Sequence, residues 1–372
     1  MYIRTLTLTD FRNYERLAFE PSEGTNILVG RNAQGKSAML EAIYLLATSK
    51  SHRTSRDMDM IRIGQQASRV TADVARSVQN DVSVEIILDR SEKKTVRINT
   101  VKHAKVADIV GQVNVVIFST ADLEMVKGEP SRRRRFLNLE ISQISPGYVY
   151  ALGRYKRVLD QRNNLLREIG DRRADGADLD VWDTQLAAYG ATLISRRASF
   201  VESLSDAASG IFNSLTNSTE ELTVTYKSTI QVDAAATEEE IGASFLGMLA
   251  ARREMDITRG STSVGPHRDD LLLGVNGLPA REFGSQGQHR TMAIALKLAE
   301  IDLMFESVGE APVVLLDDVM AELDKDRRRR IAELTSNRCQ TIMTTANLGD
   351  ISEAAIAAAR VYDVEGGRVT PR

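Results

Sequence analysis

The stretch Val29-Gly30-Arg31-Asn32-Ala33-Gln34-Gly35-Lys36-Ser37 constrains this chain more than any other. It contains G-x-x-x-x-G-K-S, follows the apolar run Asn26-Ile27-Leu28-Val29, and leads into a helix-forming segment with an apolar face, Ala38 to Ala47. Strand, glycine loop and helix in that order set backbone amides around a phosphate. Gly30 and Gly35 allow the loop to close, Asn32 sits within it, Lys36 reaches the β and γ phosphates, and the Ser37 hydroxyl is a ligand for Mg2+. A nucleoside triphosphate site on an α/β fold is therefore expected.

Val313-Val314-Leu315-Leu316-Asp317-Asp318 is the matching half: four aliphatic residues of a buried strand ending in two carboxylates. Asp317 is expected in the magnesium shell, and Asp318 is expected to orient or deprotonate the attacking water. The last core strand, Gln340 to Thr345, leads to Ala346-Asn347, where a γ-phosphate sensor would sit. Glu282 to Arg290 opens a helix running from Thr291 to about Phe305, and Ser285 is placed to cap it. The free amides and positive dipole end of that first turn suit a phosphate.

Between these motifs the chain changes character. Residues 68 to 75, 82 to 89 and 94 to 99 alternate as strands, so the first 120 residues read as a phosphate-loop module carrying an antiparallel sheet. Val113 to Phe118 reads as a mostly buried strand. Helical spacing then runs from Arg132 to about Arg172, breaks at Gly170 to Gly176, and resumes from Asp178 through Trp182, a core anchor, toward Ala208. A strand at 222 to 229 and a helix from Glu238 to Arg253 follow, with 233 to 240 either a loop or the start of that helix. This helical lobe is an insertion, too irregular in its apolar spacing for an extended coiled coil. Expected boundaries are 1 to 130 and 256 to 372 for the two halves of the nucleotide fold, and 131 to 255 for the lobe.

Several features stay open on the residues alone. Arg12 is either a nucleotide contact or a solvent-facing turn arginine. Arg132-Arg133-Arg134-Arg135 is either a solvated charge run or a contact to phosphate backbone. Ser263-Val264-Gly265-Pro266-His267-Arg268-Asp269-Asp270 is a surface salt-bridge patch or a functional loop. His52 and His103 have no partners at metal spacing and are expected at the surface.

With 51 acidic residues against 48 Lys and Arg, the net charge of -3 gives no overall pull on nucleic acid, so such a partner must meet a local patch. The single cysteine, Cys339, excludes an intramolecular disulfide framework and is expected to be buried beside the last core strand. No run approaches 18 apolar residues, and a cytoplasmic protein without a membrane partner is expected.

Taken together, the Walker A loop, Ser285-Gln286-Gly287-Gln288 opening a helix, the Walker B strand and the D-loop Ala321-Glu322-Leu323-Asp324 resemble an ABC-type P-loop ATPase head. Phe11-Arg12-Asn13-Tyr14, Arg133-Arg134-Arg135-Phe136-Leu137, Gly265 to Asp270 and Leu316-Asp317-Asp318-Val319 narrow the likeness to the bacterial RecF family over essentially the whole chain. Asn138 and Ala321 stand where that family commonly carries aspartate and serine. The resemblance implies an ATP-dependent DNA-binding protein of recombinational repair and replication restart, associated with the nucleoid, acting on duplex, gapped or junction DNA. It implies a weak ATPase using ATP and Mg2+, a homodimer closed by ATP, and work with RecR and RecO to place RecA. The implied ATP contacts are Arg12, Gly30, Asn32, Gly35, Lys36, Ser37, Ser285 and Gly287. Lys36, Asp317, Asp318 and Gln288 are the implied catalytic set, with Ser37 and Asp317 for the metal and Arg132 to Arg135 for DNA. A nucleotide-gated scaffold, or an ATPase subunit that does not act on DNA, is the alternative.

Overall fold

In a computed structural model, which describes residues 1–176, 178–231, 235–323, 325–335 and 338–372, the alternation at the start of the chain becomes the hairpin β1 (Tyr2–Phe11) and β2 (Tyr14–Phe19). Only the backbone is described at 321, 322, 325, 326, 334 and 335. The D-loop residue Asp324 and the side chains of Ala321 and Glu322 thus lie outside the description, as do positions 233 and 234. β3 (Thr25–Val29) feeds α1 (Lys36–Thr48), and β4 (Ala67–Ala75), β5 (Val82–Asp89), β6 (Thr95–Ile98), β7 (Val101–His103) and β8 (Val115–Phe118) follow.

The helical stretch begins with α2 (Leu123–Lys127) and α3 (Pro130–Ile144). The helix expected to run unbroken to Arg172 is two helices, because α4 (Pro146–Gly170) restarts at Pro146. Proline cannot continue α3 but suits a first helical position, and the Ser145 side chain accepts a hydrogen bond from the Tyr148 amide as the cap. Then come α5 (Leu179–Leu215), β9 (Leu222–Lys227), and α6 (Glu238–Arg259), which opens with a Thr237/Glu240 capping box and closes on left-handed Gly260. β10 (Asp270–Val275), β11 (Leu278–Pro279), α7 (Ala280–Phe283) and α8 (Gln286–Val308) precede β12 (Val313–Asp317), α9 (Lys325–Thr335) and β13 (Thr341–Thr345). The chain ends with α10 (Glu353–Ala357), β14 (Arg360–Glu365) and β15 (Arg368–Pro371).

Contacts divide the chain into two units, one of residues 1–123, 211–219 and 290–372, the other of 124–210 and 220–289. The first holds two six-stranded sheets. One, ordered β2-β1-β4-β5-β6-β7, is antiparallel throughout. The other runs β15-β14-β3-β13-β12-β8 and is parallel except for the β14–β15 pair. Helix α1 packs against strands of both sheets, and twelve of its thirteen residues are buried. That is why its sequence is apolar almost all round. Cys339 is a buried free thiol just before β13.

The second unit combines α2 to α4, most of α5, α6 and the small antiparallel sheet β11-β10-β9. Its core contains fully buried Arg162 on α4, which donates to Asp183 on α5 at 2.5 Å and to Asp256 on α6 and Thr262 at 2.9 Å. One guanidinium thus joins three helices, while Trp182, expected as an anchor there, is only half-buried. The loop Gly265 to Asp270 is likewise built into this unit. Asp269 accepts from the Thr229 amide at 2.7 Å and from the Tyr226 hydroxyl, and Gly265 has φ +119, with the Phe245 ring and the Tyr155 hydroxyl where a Cβ would stand. Tyr155 and His267 Nδ1 are 2.6 Å apart, and His267 Nε2 lies 3.1 Å from the Thr262 carbonyl. The carbonyl can only accept, so Nε2 carries the proton and Nδ1 accepts from the Tyr155 hydroxyl. Asn138 keeps a polar contact despite replacing aspartate, its Oδ1 accepting from Tyr148 at 2.7 Å and Arg197 at 2.9 Å.

Removing Arg162 leaves Asp183 and Asp256 buried and short of a cation. Arg162→Ala should therefore cost about 3–5 kcal/mol of stability in urea unfolding, whereas a variant as stable as the parent would show that the two aspartates are not held ionised. Burial pushes the His267 pKa from 6.5 down to about 4, outweighing the hydrogen bond to Thr262. The unfolded chain binds the proton first, so this contribution is full above pH 6.5 and is lost as pH falls toward 4. The drop in urea midpoint across that window should shrink in His267→Gln, and an equal drop in both proteins would remove His267 as its source.

Candidate nucleotide site

The phosphate loop is braced from two hairpins. Asn13, in the β1–β2 turn, donates to the Gln34 carbonyl at 2.9 Å, and the buried Tyr14 hydroxyl donates to the Gly35 carbonyl at 3.1 Å. In the β14–β15 turn, the Gly366 amide donates to Gln34 Oε1 at 2.7 Å and the Gly367 amide to the Gln34 carbonyl at 3.2 Å. Two glycines of the motif are fixed by this crowding. A Cβ on Gly30 would lie 2.2 Å from the Val364 carbonyl oxygen, and one on Gly35, at φ +118, would meet the Tyr14 hydroxyl at 2.7 Å.

Lys36, nearly fully buried, arches back to donate to the carbonyls of Gly30 at 2.7 Å and Arg31 at 3.2 Å. Ser37 Oγ donates to Asp317 Oδ1 at 2.7 Å, and Thr344 from β13 donates to the same oxygen at 3.0 Å. Asp318 follows in a left-handed conformation, φ 54, with its amide held by Thr344 Oγ1 at 2.9 Å. Beside the loop is a cleft of about 690 Å³ whose lining includes Asn32, Lys36, Ser37, Arg12 and Asp318. The Walker A and Walker B residues are therefore brought together.

The two aspartates differ electrostatically. Burial raises the Asp317 pKa, but neighbouring His52 and hydrogen bonds from Ser37 and Thr344 outweigh it, leaving a net lowering. Asp318 is raised by burial and by the Asp317 charge, against the opposing pull of Lys36. Adjacent carboxylates held apart in this way divide into a persistent anion and a proton acceptor.

Arg12 lines the cleft, but its guanidinium makes a bidentate pair with fully buried Glu41 of α1, at 2.6 and 2.8 Å, and donates to the Asp59 carbonyl. Sequence reading missed the other groups around the loop. Asn13 and Tyr14 entered the sequence reading only within the motif Phe11-Arg12-Asn13-Tyr14, with no role at the loop assigned to them. Arg53 and Arg62 also reach the cleft wall. His52, expected at the surface, is largely buried with its ring edge-on to Tyr44, and its Nε2 is 4.0 Å from Asp317 Oδ2. Neither ring nitrogen has a hydrogen-bond partner among the described residues. The apolar run before Lys50 gives no sign of this, since the chain must fold back from α1 to bring His52 under the Walker B strand. Asn347 turns its Oδ1 to the Gly349 amide and caps the following turn.

In the other unit, Ser285 and Gln288 form a reciprocal cap. The Gln288 amide donates to Ser285 Oγ at 3.2 Å, and the Ser285 amide donates to Gln288 Oε1 at 2.7 Å. The Gln288 side-chain nitrogen meanwhile donates to Glu220 at 2.6 Å. At Gly287 a Cβ would find only Ser285 Oγ, at 3.8 Å. The arginine run divides. Arg132 and Arg135 are exposed, Arg133 is buried in a bidentate pair with Asp270, both bonds 2.8 Å, and Arg134 donates to the Asp269 carbonyl at 2.8 Å. No described helix is long and apolar enough to cross a membrane.

The chain matches the RecF/RecN/SMC N terminal domain over residues 2–370. It is 40% identical over 371 residues to the DNA replication and repair protein RecF of Geobacillus kaustophilus, covering 100% of this chain and 99% of that one. To the Bacillus subtilis protein of the same name it is 38% identical over 368 residues, covering 99% of each. Its fold superimposes with a TM-score of 0.92 on the recombination mediator protein RecF-ATP of the RecFOR pathway, at 33% identity over 100% of this chain and 97% of that one. An Smc head bound to the C-winged helix domain of ScpA shares the fold at 17% identity and a TM-score of 0.57. From the braced phosphate loop to these full-length similarities, the chain belongs to the RecF family of DNA replication and repair proteins, on an ABC-type ATPase head fold.

Proposed function

We propose that the chain binds ATP at Lys36, closes on DNA as a homodimer, and reopens by slow hydrolysis. The observation that carries this is the bond from Ser37 to Asp317 beneath the Lys36 arch, which joins the two motifs a triphosphate needs. The ATP-bound relative at 33% identity supports the same reading. Lys36 would exchange its two carbonyl partners for phosphate oxygens, and the amides of Asn32 to Ser37 would cradle the phosphates. Ser37 and ionised Asp317 offer the hard oxygen donors that suit Mg2+. Mg2+ held there would supply charge to offset the β and γ phosphates. Asp318, the more basic carboxylate, would take the proton of the attacking water. Arg12 would act chiefly through Glu41, by holding α1.

Ser285 and Gly287 of a second copy would cap the γ-phosphate with free amides at the start of α8, while Gln288 keeps Ser285 in place. DNA would meet Arg132 and Arg135, with Arg134 beside them, through its backbone and without regard to base sequence. RecR and RecO would act with the closed dimer at gaps to place RecA, in line with the RecFOR pathway named for the similar structure.

Sedimentation at several protein concentrations should show a dimer with ATP and Asp318→Asn, and a monomer without nucleotide. Ser285→Arg should still bind ATP yet stay monomeric. A monomer under every condition would remove the closing step, and a Ser285→Arg dimer would remove the second copy's cap. The hydrolysis rate should decline with acid through a pKa above the ordinary aspartate range, because Asp318 must be ionised to accept a proton. A decline only within that ordinary range would place the base elsewhere.

A further inference from the structure

Within the unit of residues 124–210 and 220–289, a cleft of about 590 Å³ opens beside the start of α3. Arg134 lines it from α3, Lys227 from the end of β9, and Arg268 from the loop before β10. The cleft's two acids are already engaged by cations that do not line it. Asp270 holds Arg133 through both oxygens, and Glu129 pairs with Arg281 at 2.7 Å. Arg134, Lys227 and Arg268 have no carboxylate partner among the described residues. Backbone carbonyls hold the two guanidinium groups instead: Asp269 for Arg134 at 2.8 Å, and Thr262 for Arg268, with Nε and one terminal nitrogen each at 3.2 Å. Both side chains are therefore aimed in advance without being neutralised. Burial lowers the Arg134 pKa, with Arg197 and Arg268 acting the same way and Asp270 and Asp269 opposing them.

The remaining polar lining residues are Ser131 and Thr229, the Thr229 hydroxyl already donating to Asp269 Oδ1 at 2.8 Å. Donors outnumber available acceptors, which matches phosphate oxygens, groups that only accept. Among the described residues no aromatic ring lines the cleft, so it offers no aromatic stacking platform for a base. From this arrangement we infer that the cleft between Arg134, Lys227 and Arg268 is a seat for the phosphodiester backbone of DNA, read without regard to sequence. The inference rests on the DNA-binding reading above and adds to it Lys227 and Arg268, which lie 92 and more residues beyond the arginine run and owe their place beside it to the β9–β10 pairing.

The test is fluorescence anisotropy of a labelled 30-base-pair duplex with ATP across a salt series, using the full chain, Lys227→Ala, Arg268→Ala, the double variant, and Lys102→Ala on β7 as a matched charge loss. Lys227, Arg268 and Lys102 are exposed, and urea unfolding checks that each variant folds. Each cleft variant should weaken binding and reduce the slope of log K against log salt by about 1, and the double variant by about 2. Lys102→Ala and ATP binding should be unchanged. If the full chain binds duplex and the cleft variants bind it with the same affinity and slope, the cleft is not the seat, while the DNA reading stands. If the full chain does not bind duplex, both fall. Calorimetry with inorganic phosphate separates the remaining source: phosphate binding lost in the double variant, with duplex binding unchanged, would overturn the DNA assignment in favour of a free anion.

Discussion

Burial of α1 between two sheets is the constraint on which the nucleotide site depends. The helix begins at Lys36, so whatever fixes its axis also fixes the lysine and the Ser37 hydroxyl. Apolar packing alone would permit a small rotation about that axis. Glu41, fully buried one turn further on, removes this freedom by accepting from Arg12, from Ser51 at 2.5 Å, and by lying 3.7 Å from Arg53. A buried carboxylate is costly unless paired, and here its pairing sets the angle of the phosphate loop. The Walker B strand then needs only its register with β13 and β8 to bring Asp317 to Ser37.

Much of this was legible in the sequence because the relevant signals are local. Gly30 to Ser37 is one unbroken segment, Asp317 and Asp318 end a short aliphatic run, and the Ser285 cap is a four-residue pattern. The elements β4, β5, β9 and α8 follow from periodicity for the same reason. The break at Pro146 was also local, yet the apolar spacing continues through it on either side and masks the restart. His52 was not legible, because its burial depends on a fold-back onto Tyr44 and on Asp317, which lies far later in the chain. Nor could the run of four arginines reveal which of them faces water, since Asp269 and Asp270, which engage Arg134 and Arg133, come far later in the chain.

That last case has a general form. A basic residue becomes available to a polyanion only when the fold leaves it without an acid, and the fold assigns acids by geometry, not by sequence proximity. In the unit of residues 124–210 and 220–289, buried Arg162, Arg197 and Arg133 serve as internal ties, while cations with the same chemistry at Lys227 and Arg268 remain open to solvent. The net charge of -3 conceals this division entirely.

The two hairpins that brace the phosphate loop also bear on how the site comes into being. Gln34 is held on one side by a turn 21 residues before it and on the other by a turn 332 residues after it. A ribosome makes the loop 332 residues before the second brace. Until then the Gln34 carbonyl and side chain lack the amides of Gly366 and Gly367, and β3 lacks its neighbour β14. The cradle is thereby completed only once that turn has been made, so a nascent chain stalled short of it carries the motif without its second brace.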